Sequence, residues 1–444
     1  MSQPTALSTP IGPVPAHLRA QDVAAPAKTT ARPLDIPFRE AFMVAIAAGI
    51  GYGFDAYAVN IFGMLGPTLT QALGISVKAF GLIGSIFLVG YTLGTIGFGI
   101  LADRIGRRDA LGWSIILYGI TTALGGITTN LFAFVGLRFL TGVGGAGELA
   151  VGAPYTAEMW PSRWRALGTG GIMFSLYSLG YIVAAAAALV IVPWLGWQWS
   201  FYFAIVPAVF VFLLRTTITE SVRFKQAQQE LEEREREEGI RQPRVSIFSI
   251  PGAWRRLTVG WLLYIANACG YWGITVFLTT FMVQKFHVTA HDAIFYAMLF
   301  YVLQFFLSYV GTGLSDIVGR RPAGILGALI MIGCTFEAST ATTLAGFLVF
   351  GAVMVGMLGW LWGIGDTYLS EFFRTSLRGT GFGLMVGGGR IASIAAPFLV
   401  GWGITEFGGP TIPFLLTSGL WVLTIIGYLL GPETARRELE EVQL

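Results

Sequence analysis

Twelve separate stretches of this chain each run for about 20 residues with almost no charge, the length a helix needs to cross a bilayer's hydrocarbon core. They fall at 41–66, 80–102, 110–129, 131–155, 167–190 and 198–215, then at 257–283, 293–314, 322–342, 345–370, 380–402 and 411–431. Some breaks are mere turns, as at Thr129 and Asn130 or around Pro193. Of 444 residues, 54% are hydrophobic and 12% charged, where a soluble domain carries about 25% charged residues. Lipid is the natural solvent for such a chain. The expectation is an all-α membrane protein.

Basic residues orient it. With the N-terminus inside, 24 of the 28 Lys and Arg fall in the tail or in inward loops. Lys78 and Lys285 face out, and Arg138 and Arg390 lie within spans. Both termini are therefore expected in the cytoplasm, and the protein in the plasma membrane (the cell inner membrane if bacterial). Cys269 and Cys334 lie in apolar segments and suit neither a disulfide framework nor a C-x-x-C site. His17, His287 and His291 are too scattered for a metal, and no cofactor is expected. Residues 1–36 lack a signal peptide's apolar region and read as a disordered cytoplasmic tail, leaving insertion to the first span.

The chain is also an internal duplication. A fixed offset of 213 positions carries Leu101 to Leu314, Asp103 to Asp316, Gly106 to Gly319, Arg107 to Arg320 and Arg108 to Arg321. The same offset carries Glu158 to Glu371, Arg165 to Arg378, Gly168 to Gly381 and Glu220 to Glu433. The register holds from Leu101 to Glu220 without a gap. It predicts an N-terminal six-helix bundle over 37–220 and a C-terminal one over 257–433. Between them, 221–256 is a cytoplasmic linker with a charged helix at 229–238, and 434–444 is a second tail. Parallel six-helix repeats suit alternating-access carriers, in which two bundles rock about a central site.

At these residues the chain resembles the major facilitator superfamily over its whole ordered length. Gly99-Ile-Leu-Ala-Asp-Arg-Ile-Gly-Arg-Arg108 is similar to the superfamily's loop 2–3 signature, and Leu314-Ser-Asp-Ile-Val-Gly-Arg-Arg321 to its loop 8–9 copy. Arg138-Phe-Leu-Thr-Gly-Val-Gly-Gly-Ala-Gly147 resembles its fourth-helix motif. Thr219-Glu-Ser-Val-Arg223 and Pro432-Glu-Thr-Ala-Arg436 resemble the marks that end each half in sugar porters and their metabolite-porter relatives. The tenth-helix tryptophan of sugar porters is Asp366 here, and their paired seventh-helix glutamines give way to Asn267, Tyr271 and Trp272. Gly147-Glu148-Leu-Ala-Val and Gly389-Arg390-Ile-Ala-Ser look instead like organic-acid, aromatic-acid and niacin-type porters. Gly53-Phe-Asp55 matches part of the aromatic-acid porters' first-helix signature, with Tyr52 where they carry an aspartate.

Charges within spans mark functional candidates. Asp55 lies roughly 21 Å above the inner face and Arg138 roughly 10 Å below the outer one, so the two depths coincide. They are expected to pair, and protonation of Asp55 would release Arg138 as the carrier turns over. The resemblance agrees, since sugar porters couple protons through a carboxylate and an arginine at the matching places. A fixed structural salt bridge is the alternative. Arg390, roughly 18 Å deep, offers a planar fork for a carboxylate. It reads either as a substrate-anion anchor or as a permanent ion-pair partner of Glu148 or Asp366. Glu148 is correspondingly a second proton site or that counter-ion. Asp366 is shallower, and the resemblance places the ninth helix, with Glu337, on the outer scaffold, which implies a structural role there.

Asp103, Arg107, Arg108, Glu158 and Arg165 form, with Asp316, Arg320, Arg321, Glu371 and Arg378, an expected cytoplasmic gate; positive-inside topology alone is the bland alternative. Phe54, Tyr57, Tyr271, Trp272, Trp360 and Trp362 are candidates to line a cavity for a flat substrate, with Asn267 and Asp366 as polar partners. The resulting expectation is a monomeric, proton-coupled symporter importing a small organic anion, such as an aromatic or heterocyclic carboxylate. A sugar or polyol porter, a drug or metabolite exporter and a transporter-like nutrient sensor are the alternatives. No nucleophile–base pair or metal cluster points to an enzyme, and nothing points to nucleic acid.

Overall fold

The computed structural model describes residues 36–75, 77–128, 130–216, 218–238, 246–275, 277–439 and 441–442. The predicted tail thus lies outside the described residues except for Ile36. The first six spans are α1 (Phe38–Met64), α2 (Val77–Ile105), α3 (Arg107–Gly125), α4 (Leu131–Met159), α5 (Leu167–Met173 continued by Phe174–Leu195) and α6 (Trp197–Tyr202 and Ile205–Thr216). The second six are α7 (Ala253–Ile274 and Leu278–Phe286), α8 (Ala290–Val318), α9 (Arg320–Thr340), α10 (Leu344–Ser370), α11 (Arg378–Glu406) and α12 (Thr411–Leu430). The linker holds a helix at Val222–Glu238. Among the described residues nine helices are each long and apolar enough to cross a membrane. The remaining three spans are α3, which opens on Arg107, Arg108 and Asp109, and the two broken ones, α6 and α7. Side chains such as Leu93, Phe306, Val310, Phe398 and Leu416 stay more than half exposed, as lipid-facing positions should.

The duplication is visible in the packing. α1 packs on α5 as α7 packs on α11, α2 on α4 as α8 on α10, and α3 on α6 as α9 on α12. The halves meet along two related seams, α2 against α11 and α5 against α8. Glycines let the seams close. A Cβ on Gly379 would meet the Gly99 carbonyl oxygen at 2.5 Å, and one on Gly383 would meet the Thr95 carbonyl oxygen at 2.7 Å. In the first turns of α5, a π-helical stretch, Gly170 lies against Gly363 of α10.

The repeated Gly-Arg-Arg has a local cause. One residue joins α2 to α3, and its counterpart joins α8 to α9. Gly106 (φ +103°) and Gly319 (φ +111°) take a backbone conformation that L side chains avoid. Each following helix is capped by a glutamate from the end of its own half. Glu220 accepts from the Arg107 and Arg108 backbone N–H groups at 2.9 and 3.1 Å; Glu433 does the same for Arg320 and Arg321 at 2.9 and 3.1 Å. A carboxylate at a helix N-terminus satisfies orphan donors and suits the helix dipole. The sequence pair Glu220 and Glu433 is therefore a pair of caps.

Candidate functional site: an aromatic cavity between two halves

At the centre, six aromatic rings (Tyr52, Tyr91, Tyr177, Tyr271, Trp272 and Trp362) surround a void of about 10 Å³, together with Val59 and Arg390. That volume holds about one water, too little for a substrate. Both halves contribute. Arg390 on α11 and Tyr177 on α5 occupy equivalent positions of the repeat and line the void together. The Tyr177 and Tyr271 hydroxyls lie 3.1 Å apart, and Tyr271 also donates to Asn60 Oδ1 at 3.5 Å, so hydrogen bonds cross the seam.

The expected Asp55–Arg138 ion pair is not closed. Asp55 accepts a hydrogen bond from the Tyr91 hydroxyl at 2.7 Å, and Gly145 leaves room for its carboxylate. Arg138 donates to the Ala58 carbonyl at 3.3 Å and sits between the rings of Phe62 and Phe87, 4.5 and 4.7 Å from their centres. Two aromatic faces stabilise its charge, and no carboxylate lies within 4.0 Å of it among the described residues. Asp55 remains within Coulombic reach of Glu148, Arg390 and Arg138.

Arg390 has no carboxylate within 4.0 Å among the described residues, which removes the fixed ion pair with Glu148 or Asp366. Its guanidinium instead lies 4.2 Å from the Tyr91 ring centre and 5.6 Å from that of Tyr264. Its Nε is buried without a hydrogen-bond partner. Glu148 accepts from Ser114 at 3.1 Å, and Asp366 from the Tyr264 hydroxyl at 3.2 Å, which itself accepts from Trp362 Nε1 at 3.2 Å. Asn267 is buried with its Oδ1 unpartnered.

Three aromatic candidates stand elsewhere. Phe54 packs against Ile115, Tyr118 and Ala208 of α3 and α6. Tyr57 donates to the Ser200 carbonyl at 2.8 Å. Trp360 donates to the Ala323 carbonyl at 3.0 Å, on the α9 side of α10. Helical geometry explains the first two. Positions 54 and 57 are one residue before and two after Asp55, so they point away from its face, whereas Tyr52 and Val59, at three and four residues, share it.

At one end of the helices eight of the ten residues expected to form a gate make one ion-paired layer. Glu158 accepts from Arg107 at 3.0 Å and from Arg378, across the halves, at 2.8 Å. The mirror set has Glu371 accepting from Arg320 at 3.2 Å and from Arg165, across the halves, at 3.0 Å. Asp103 pairs with Arg107 and accepts from the Gly379 and Thr380 backbone N–H groups at 3.1 and 2.6 Å. Asp316 pairs with Arg320 and accepts from Ala166 and Leu167 at 3.1 and 2.9 Å. Arg321 differs, donating to the Tyr428 and Leu429 carbonyls at the end of α12, and the Arg108 backbone serves the Glu220 cap. The segment after α12 joins in, since Arg437 gives Arg165 a carbonyl at 3.0 Å and Glu438 accepts from Arg223 at 3.0 Å.

A small central cavity, two like halves and a mirrored ion-pair layer describe a carrier, and the comparisons agree. The family model of the Major Facilitator Superfamily matches residues 48–265 and 260–444. The chain belongs to the major facilitator superfamily. It is a multi-pass membrane transporter and not an enzyme. Among its relatives is a probable 4-methylmuconolactone transporter of Cupriavidus pinatubonensis, 30% identical over 88% of this chain and 90% of that protein. The niacin transporter NiaP of Acinetobacter baylyi is 26% identical over 89% of this chain and 95% of its own length. The proton:xylose symporter XylE shares the fold at a TM-score of 0.78 and 19% identity, over 91% of this chain and 98% of that one.

Sequence reasoning missed four of this facilitator's central residues: Tyr52, Tyr91, Tyr177 and Tyr264. An intramembrane tyrosine looks like any packing aromatic, and of these only Tyr52 adjoins a charged motif, that of Asp55. Two signals were nonetheless present. Tyr177 is the counterpart of Arg390 in the repeat, and Tyr52 lies one helical turn from Asp55.

Proposed function

We propose that this facilitator is a proton-coupled symporter that imports a small organic monoanion, an aromatic or heterocyclic carboxylate, by alternating access. The observation that carries the reading is Arg390: a buried guanidinium on an aromatic-lined cavity with no carboxylate within 4.0 Å among the described residues. An arginine fork takes a carboxylate through two charge-assisted hydrogen bonds, and the surrounding rings take a flat, apolar body. The names of related transporters support the class, since they include niacin, gentisate and benzoate. Tyr91 ties substrate to proton, because its hydroxyl holds Asp55 while its ring carries Arg390. In this reading a proton enters on Asp55, the anion neutralises Arg390, and the loaded, net-neutral site turns inward through a dry state. Arg138 and Glu148 tune Asp55 through their charge.

The ion-pair layer is then the cytoplasmic gate, with both termini on that side of the inner membrane. The protein works as a monomer, and its halves 37–220 and 257–433 rock about the cavity. Thermal stabilisation of the purified protein tests the anchor, because a ligand that binds only the native state raises its melting temperature. Benzoate and nicotinate should stabilise it, benzamide and nicotinamide should not, and Arg390→Ala should erase the difference. Equal stabilisation by acids and amides, or an unchanged preference in the variant, refutes the anchor.

A further inference from the structure

We infer that Asp366 is a second proton-binding site of the transport cycle, so that two protons accompany each monoanion and uptake is electrogenic; this rests on the symport reading above. Arg390 stands between two tyrosine–aspartate dyads. On one side its guanidinium is 4.2 Å from the ring of Tyr91, whose hydroxyl donates to Asp55 at 2.7 Å. On the other it is 5.6 Å from the ring of Tyr264, whose hydroxyl donates to Asp366 at 3.2 Å. The dyads are not relics of duplication. The repeat places Ala268 opposite Asp55 and Gln304 opposite Tyr91, Ala153 opposite Asp366 and Gly51 opposite Tyr264. Each was built separately around the one arginine.

Asp366 is 3% exposed and has no ion-pair partner within 4.0 Å among the described residues. The titratable and charged groups that face it are Tyr264 of α7, Tyr52 of α1, Arg390 of α11 and Tyr428 of α12. An unpaired carboxylate anion at that depth is strongly disfavoured, whereas a protonated carboxyl keeps its tyrosine hydrogen bond and carries no charge. Its place suits a release step. Asp366 lies five residues before Glu371, between the cavity and the gate layer, about a turn and a half of helix apart. When the substrate anion leaves toward the gate, Arg390 loses its counter-charge. Asp366 then gives its proton to water in the opened vestibule, and the resulting carboxylate attracts the arginine until the site resets and a proton reloads it. Per cycle one anion and two protons enter, and one positive charge crosses.

The test uses the full chain in two readouts. In infrared difference spectra of purified protein titrated in heavy water, wild type should show a protonated-carboxyl carbonyl band that Asp366→Asn removes and Asp55→Asn leaves. In proteoliposomes with no pH gradient, an inside-negative potential of about 100 mV should raise benzoate accumulation about 50-fold for one net charge. Asp366→Asn should lose that response while still exchanging labelled for unlabelled benzoate. A band unchanged in Asp366→Asn, or a band lost with the potential response intact, overturns the inference and leaves Arg390-anchored symport standing. Wild type that moves benzoate without protons overturns both.

Discussion

Removing Arg378 should unlatch the gate by an amount its surroundings bound. Deleting one member of a buried ion pair and stranding the other typically destabilises by about 3–5 kcal/mol. Glu158 would not be stranded, because Arg107 stays on it at 3.0 Å and Ser221 also donates to it. The loss is therefore that of one hydrogen bond to a charged group, about 1.5–3 kcal/mol. Because the Arg378–Glu158 bond crosses the halves, only the state closed at this face loses it. The equilibrium should move roughly 10- to 150-fold toward the state open there. An open population of about 1% would rise to between about 10% and 60%. Spin labels at Ile105→Cys and Val318→Cys read the change, since both residues are 40% or more exposed at equivalent ends of α2 and α8. The background is Cys269→Ser and Cys334→Ser, which removes both native thiols. Pulsed dipolar distances should gain a longer component in Arg378→Ala. Arg321→Ala should not show it, because that side chain donates to carbonyls of its own half. An unchanged distribution in Arg378→Ala refutes the latch.

Two further substitutions test the local geometry. In Gly145→Ala the new methyl falls on the Asp55 carboxylate, so Asp55 must leave Tyr91. The melting temperature should fall by the equivalent of about 1–3 kcal/mol and proton-driven uptake should drop more than ligand binding; unaltered coupling would contradict the contact. Gly319→Ala places a Cβ at φ +111° and 2.7 Å from the Glu433 carboxylate, which should lower stability by about 1–3 kcal/mol in thermal melts. A variant as stable as wild type would show that the turn relaxes.

Length and hydropathy made the twelve spans legible, because lipid leaves the backbone little choice. The boundaries moved by a few residues where charged side chains open the helix, as Arg107 does in α3 and Arg320 in α9. The fixed offset of 213 also disclosed the ion-pair layer, since its pairs and their mirror images are residues the duplication preserves. What one dimension could not give was rotation about the helix axis. Asp55 and Arg138 share a depth, yet one faces Tyr91 and the other the Phe62 and Phe87 rings. Depth alone made them a pair. Arg390 was legible as an odd charge, but its tyrosine neighbours come from α2 and α7, and no spacing along the chain connects those helices to α11.

The most direct test of coupled anion uptake is accumulation of labelled benzoate and nicotinate in proteoliposomes carrying an inwardly directed proton gradient. Wild type should accumulate substrate uphill until a protonophore collapses the gradient, and Asp55→Asn should exchange substrate without concentrating it. Accumulation indifferent to the proton gradient, or preserved in Asp55→Asn, would contradict coupled uptake.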